Sequence, residues 1–214
     1  MLKRLVIVIL FSIAFAYIES SVVVYLREIF HPEGFSFPLP LYDLNPLWRR
    51  LILTEIGREA ATMVIIVTCA WLCGRSTQER WAYALTIFAI WDIFYYVWLF
   101  VLLDWPASLM DWDILFLIPI AWASPVLYPI LVSLAMFTVA VIILIRAKAN
   151  YFVRLSRSQI TALVAGSGII VLSFCIGGSH VTEPNYADYF YWPLFAAGYL
   201  LAIGTFARAL GRKK

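Results

Sequence analysis

The chain has 214 residues, a net charge of +3, 64% hydrophobic residues and only 14% charged ones. Soluble domains run nearer 45–50% apolar and about 25% charged, and a soluble chain this short cannot hide so much apolar surface, so the composition points to an integral membrane protein in one domain. The basic residues lie at the ends of apolar runs, which argues against nucleic-acid binding.

A membrane-crossing helix needs about 20 apolar residues. The first such run is 5–26, which follows Lys3 and Arg4. Ala14-Phe15-Ala16 imitates a signal-peptidase site, but the apolar run continues to Leu26, so a retained helix is expected. Ser12, Ala16 and Ser20 recur every four residues, a small-residue stripe of the kind that lets helices approach closely in lipid. The loop 27–48 holds five prolines and glycines and is expected to be irregular.

The second and third spans are expected at 51–73 and 81–103. Ile114 to Ile145 then carries no charge and would measure about 48 Å as one helix, too long for one upright span. Pro119, Pro125 and Pro129 suggest where it breaks. Residues 113–123 are read as a short broken, interfacial or re-entrant segment. Ser124-Pro125 is read as an N-cap and first helical proline, opening a fourth span at 125–145. The fifth span is expected at 159–176, with Gly166 and Gly168 allowing close packing. The sixth is expected at 188–207, with Gly198 and Ala202 one turn apart. The fold class is thus an all-α bundle of six transmembrane helices.

Orientation follows from Lys and Arg. With both termini cytoplasmic, the inner side collects Lys3, Arg4, Arg75, Arg80, Arg146, Lys148, Arg154, Arg157, Arg208, Arg212, Lys213 and Lys214. Only Arg27, Arg49, Arg50 and Arg58 fall elsewhere, and Glu79 is the one inner acid. Trp48, Trp105, Trp112 and Trp192 would ring the outer boundary, with Trp71 and Trp81 at the inner one.

By depth, the unexpected polar residues gather at the midplane or outward of it. They are Glu19 in the first span, Glu55, Arg58 and Glu59 in the second, and Asp92 in the third with Tyr95 and Tyr96 one turn further out. Tyr128 opens the fourth. A charge at such depth costs a few kcal/mol or more and usually faces a partner or a wet cavity. Glu55 and Arg58 have the spacing of an ordinary intrahelical ion pair. Asp92 is too short to snorkel, so it must accept hydrogen bonds, from Tyr95 and Tyr96 first and Arg58 second, or stay protonated. These residues are expected to line one outward-opening pocket. Asp92, Glu59 and Glu55 are the candidate proton-transfer groups, and Glu19, Arg58, Tyr95, Tyr96 and Tyr128 the candidate substrate-binding ones.

The Glu55/Glu59 pair with His31 and His180 lacks convincing ligand spacing, so no metal or cofactor is expected. Cys69 and Cys73, one helical turn apart, and the isolated Cys175 fit neither a disulfide framework nor a zinc knuckle; they read as small buried apolar residues. There is no P-loop, GxSxG, HExxH or Rossmann glycine run.

In size and in its acid-and-aromatic cluster the chain resembles small membrane proteins of sterol-isomerase type, but no motif carries the likeness and no residue role follows from it. Three functions are open: an enzyme moving a proton on a lipid or isoprenoid-like substrate, a small proton- or cation-coupled transporter, and a structural or assembly subunit. The candidate partners are membrane lipid, an apolar or amphipathic small molecule, and another membrane protein.

Overall fold

The computed structural model describes residues 2–40 and 46–210. Arg212, Lys213 and Lys214, counted above on the inner side, and part of the 27–48 loop lie outside the described residues. About 74% of the chain is helical. Six helices are long and apolar enough to cross a membrane: α1 (Leu2–Phe30), α2 (Pro46–Cys73), α3 (Thr77–Leu103), α4 (Leu127–Lys148), α5 (Arg157–Gly178) and α6 (Trp192–Leu210).

A helix covers most of each expected run, and several helices outrun their apolar runs. α1 and α2 have 29 and 28 residues, about 42–43 Å against a hydrocarbon thickness of about 30 Å. Apolarity marks where a helix can sit in lipid, whereas capping marks where it begins. Ser76 accepts from the Glu79 N–H and opens α3, and Ser156 with Gln159 forms a capping box that opens α5. A separate 3-10 turn, Tyr186–Tyr189, precedes α6, so the sixth helix starts later than expected.

The segment after α3 is broken, as expected, and strands make the break. β1 (Trp112–Phe116) and β2 (Trp122–Pro125) pair into a two-stranded sheet, a hairpin because the link between them is too short for a parallel crossover. Ser124 and Pro125 belong to β2 and do not cap α4. The backbone supplies the cap instead. The Val126 N–H donates to the Asp111 carbonyl at 2.9 Å and the Leu127 N–H to the Leu109 carbonyl at 2.8 Å, so the first donors of α4 are met without a capping side chain.

The chain groups into two compact units. One comprises 1–35, 66–111 and 125–154; the other comprises 36–65, 112–124 and 155–214. In the first, α3 packs against both α1 and α4. The small-residue stripe of α1 is its buried face: Ser12, Ala16 and Ser20 are all 0% exposed. Ser20 donates to its own helix at Ala16 and across to the Tyr95 carbonyl of α3 at 3.1 Å, and the Trp98 indole N–H donates to the Ile13 carbonyl at 3.0 Å. Gln78 clasps the loop before α5, donating to the Val153 carbonyl at 2.6 Å and accepting from its N–H at 3.1 Å.

In the second unit, α5 packs on α6 through glycine. A Cβ on Gly166 would lie 2.9 Å from the Gly198 carbonyl oxygen and 3.3 Å from the Ala202 methyl. Gly168 has nothing within 4 Å, so only the first of the two expected glycines serves packing. Gly177 and Gly178 end α5 directly against the hairpin backbone at Ala123 and Ala121.

The surface distribution is inverted relative to a soluble protein. Leu2, Ile7, Leu10, Ile18, Val64 and Leu72 are exposed, while Glu19, Glu59, Thr62, Thr86, Ser133 and Ser173 are buried. Polar groups inside and apolar groups outside suit a multi-pass membrane protein, whose solvent is lipid.

Gly178→Ala should force its methyl onto the Ala121 carbonyl and lower the thermal unfolding midpoint in detergent, by a loss of about 1–3 kcal/mol. Gly168→Ala should be neutral or slightly stabilising. Equal midpoints for the two variants would contradict the tight contact of α5 with the hairpin.

Candidate functional site

The expected site residues divide between the two units. Glu19, Asp92, Tyr95, Tyr96 and Tyr128 belong to the first, and Glu55, Arg58 and Glu59 to the second. Neither unit alone holds the full set once assigned to one pocket, and each cluster stands on its own geometry.

In the first unit the decisive contact is between α3 and α4. The Ser133 hydroxyl donates to Asp92 Oδ2 at 2.7 Å. Ser133 is 1% exposed, whereas Asp92 is only half-buried. Ser133 was not among the expected site residues. Its one signal is a hydroxyl in the charge-free run, five residues beyond Tyr128. One turn along α3, the Tyr95 and Tyr96 rings meet edge to face at 5.0 Å, and Tyr96 continues toward Trp105 at 6.3 Å. Tyr95 also lends its carbonyl to Ser20. Glu19 is buried on α1, and Tyr128 is half-buried in the first turn of α4.

Beyond these lies an arrangement that sequence reasoning missed. The buried Arg27 guanidinium sits between two rings, 4.0 Å from the centre of Phe35 and 3.8 Å from that of Trp105. Trp105 thus closes over a cation, a contact beyond the membrane-boundary role expected for it. Burial first, and then the Arg27 charge, push the adjacent His31 imidazole below its usual pKa.

In the second unit, Glu55 and Arg58 form the expected ion pair on α2, with Nε to Oε2 at 3.0 Å and a second contact from the terminal guanidinium nitrogen to Oε1. Glu59 does something else. It is 6% exposed, and both of its oxygens accept from the Leu117 N–H, at 2.9 and 3.1 Å. Leu117 is the first residue after β1, so this carboxylate anchors the turn of the hairpin. The hairpin also makes aromatic contacts: Trp122 lies over Phe116 and Phe174, and Trp112 lies against Phe37, Tyr186 and Phe190.

His180, at the end of α5, stacks flat on Tyr189 with centroids 3.6 Å apart. Its Nδ1 lies 2.8 Å from the Ser179 hydroxyl and 3.1 Å from the Ile176 carbonyl. Among the described residues, no three His, Cys, Asp or Glu side chains converge as a metal site would require. Cys69, Cys73 and Cys175 are free thiols, half-buried rather than buried.

No protein-family model, curated protein or solved structure matches the chain.

Chemically, the two acid clusters differ. Glu59 spends both oxygens on a backbone donor and the hairpin depends on it, whereas Asp92 meets a hydroxyl that can relay a proton. Glu59→Gln keeps an acceptor for Leu117 and should hold stability within about 1 kcal/mol of the parent. Glu59→Ala strands a buried N–H and should lose about 1–3 kcal/mol. Thermal unfolding in detergent, with amide exchange followed on a 112–125 peptide, reads both; rapid exchange in the Gln variant would contradict the anchoring role.

Proposed function

We propose that the protein is an intramembrane enzyme that moves a proton on a lipid or isoprenoid-like substrate, with Asp92 as its acid–base group. The observation that carries this reading is the Asp92–Ser133 hydrogen bond at 2.7 Å between α3 and α4, combined with the half-buried state of Asp92. An acid in the middle of an apolar helix costs several kcal/mol unless it is paired or functional. Interhelical polar contacts that act only as glue have no need of surface access. Asp92 keeps that access while a serine fixes one of its oxygens.

The neighbouring aromatics fit an apolar substrate. Trp91, Phe94, Tyr95 and Trp98 crowd the same stretch of α3, and aromatic faces stabilise developing positive charge on a hydrocarbon. Proton transfer by a positioned carboxyl is worth about 10²–10⁴-fold in rate. Ser133 acts as a positioning residue: it orients the Asp92 carboxyl and offers a hydroxyl through which the proton passes. Glu59 and Glu55 support this chemistry only indirectly, since one holds the hairpin and the other pairs with Arg58.

The same reading sets both termini on the cytoplasmic side, supported by the Lys and Arg distribution. In a bacterial host, green fluorescent protein fused at the C-terminus should fluoresce, and alkaline phosphatase fused after Gly34 or Glu183 should be active. The reverse pattern would invert the orientation.

The enzyme reading is tested in D2O. Protein in nanodiscs, incubated with a total membrane-lipid extract, should introduce solvent deuterium into at least one apolar lipid detected by mass spectrometry. Asp92→Asn still accepts from Ser133, so it should fold normally yet lose incorporation by at least about 10²-fold. Ser133→Ala should retain a reduced rate. No deuterated lipid with the parent protein, or full incorporation with Asp92→Asn, would overturn the assignment.

A further inference from the structure

The loop that follows α4 is exposed, fixed in shape and of one charge. α4 closes on Asn150, whose φ of 59° is left-handed. The Asn150 N–H donates to the Ala147 carbonyl at 3.1 Å and the Tyr151 N–H to the Arg146 carbonyl at 2.9 Å, the paired hydrogen bonds of a Schellman close. Val153 fixes the loop again: it is buried, and the Gln78 side chain holds both its N–H and its carbonyl. Tyr151 and Phe152 lie between these two points, 72% and 55% exposed. In a Schellman close the residue at the Tyr151 position commonly packs back on the last helical turn. Here that turn carries Arg146 and Lys148, and the Tyr151 ring stays in the open.

Two apolar rings held open on a pinned loop are a liability in water. At a membrane boundary they are not, because amphipathic aromatic rings settle at headgroup level. The length of α4 puts them there. Its 22 residues span about 33 Å against a hydrocarbon thickness of about 30 Å, so the residues just past Lys148 meet the headgroups.

Charge then selects among lipids. The sequence from 114 to 182 holds no Asp or Glu, while Arg146, Lys148, Arg154 and Arg157 fall within it. Lys148 and Arg154, both exposed, bracket the two rings. Glu79, next to Gln78, accepts from the Arg75 N–H at 2.8 Å, and one acid does not offset this set. A guanidinium gives a phosphate paired, charge-assisted hydrogen bonds, and an ammonium serves it as a point charge. A zwitterionic headgroup brings its own cation against these residues, whereas an anionic headgroup brings net negative charge. Near an anionic surface each basic side chain is worth about fivefold in binding.

We infer that the α4–α5 loop is a docking site for anionic phospholipid, with Tyr151 and Phe152 seated among the headgroups and Lys148 and Arg154 on the phosphate. Gln78 is its positioning residue. The test uses the full chain in detergent, titrated with phosphatidylglycerol or phosphatidylcholine and read as lipid adducts by native mass spectrometry. The parent should bind phosphatidylglycerol at least about 10-fold more tightly, since two basic residues act together. Lys148→Gln/Arg154→Gln should bring the two lipids within about 2-fold of each other, while Lys148→Arg/Arg154→Lys keeps the preference. Arg49→Gln/Arg50→Gln removes the same charge from the start of α2 and should leave the preference within about 2-fold of the parent. Gln78→Ala leaves net charge unchanged, so the fall in preference of about 3-fold or more expected from it reports loop geometry rather than charge. Circular dichroism and gel filtration check that each variant is folded. Equal affinity of the parent for both lipids, an unchanged preference in Lys148→Gln/Arg154→Gln, or an equal loss in Arg49→Gln/Arg50→Gln would each overturn the site. Displacement of the lipid by millimolar glycerol 3-phosphate would overturn it too, by making the ligand a soluble phosphate.

Discussion

Lipid offers no hydrogen bonds, and the architecture is organised around that lack. Within an apolar helix every polar side chain must find its partner in the protein or lose several kcal/mol. The hydroxyls of α1 and α3 meet the demand locally: Ser12, Ser20 and Thr86 all donate to carbonyls four residues back. Other partners lie across helix contacts, as in Ser20 to Tyr95, Trp98 to Ile13 and Ser133 to Asp92. Each such bond fixes the rotation of one helix against the next, a task that lipid-like side chains perform poorly because they pack equally well in many registers.

The same constraint decides how much was legible in the sequence. Helices long and apolar enough to cross a hydrocarbon layer follow from run length alone, and six such helices are present. The stripe Ser12, Ala16 and Ser20 and the pairing of Glu55 with Arg58 were also readable, because both are properties of a single helix at fixed spacing. What lay hidden depends on the angle between helices. Gly166 and Gly168 are equivalent as sequence, yet they point in different directions and only Gly166 meets α6. Ser133 looked like any serine in an apolar run until α4 turned it toward Asp92.

The hairpin was hidden for another reason. Prolines 119 and 125 announce a break in the helix but not what replaces it. A short apolar run between turn signals reads equally as strand or helix. Its identity is set by distant partners: Glu59 at its turn and the α5 glycines against its backbone, which open a seat that any larger residue would fill. The missed cap of α4 follows from the same fact. Once 122–125 is a strand, the donors of α4 are met by the Leu109 and Asp111 carbonyls, and Ser124 has no capping role left.

Acids in the apolar helices therefore differ by what holds them rather than by type. Glu59 is fixed through both oxygens by a single backbone donor, so removing its acceptor oxygens removes a structural anchor. Glu55 is matched by a cation three residues away, a stable arrangement that has no spare valence for a substrate. Asp92 accepts from the Ser133 hydroxyl, a neutral group that both donates and accepts. Such a partner leaves the carboxyl able to change protonation without dismantling a helix contact, because Ser133 can reverse the direction of its hydrogen bond when the acid gains a proton. That reversibility, more than position along the helix, distinguishes the Asp92 contact from the Glu59 anchor.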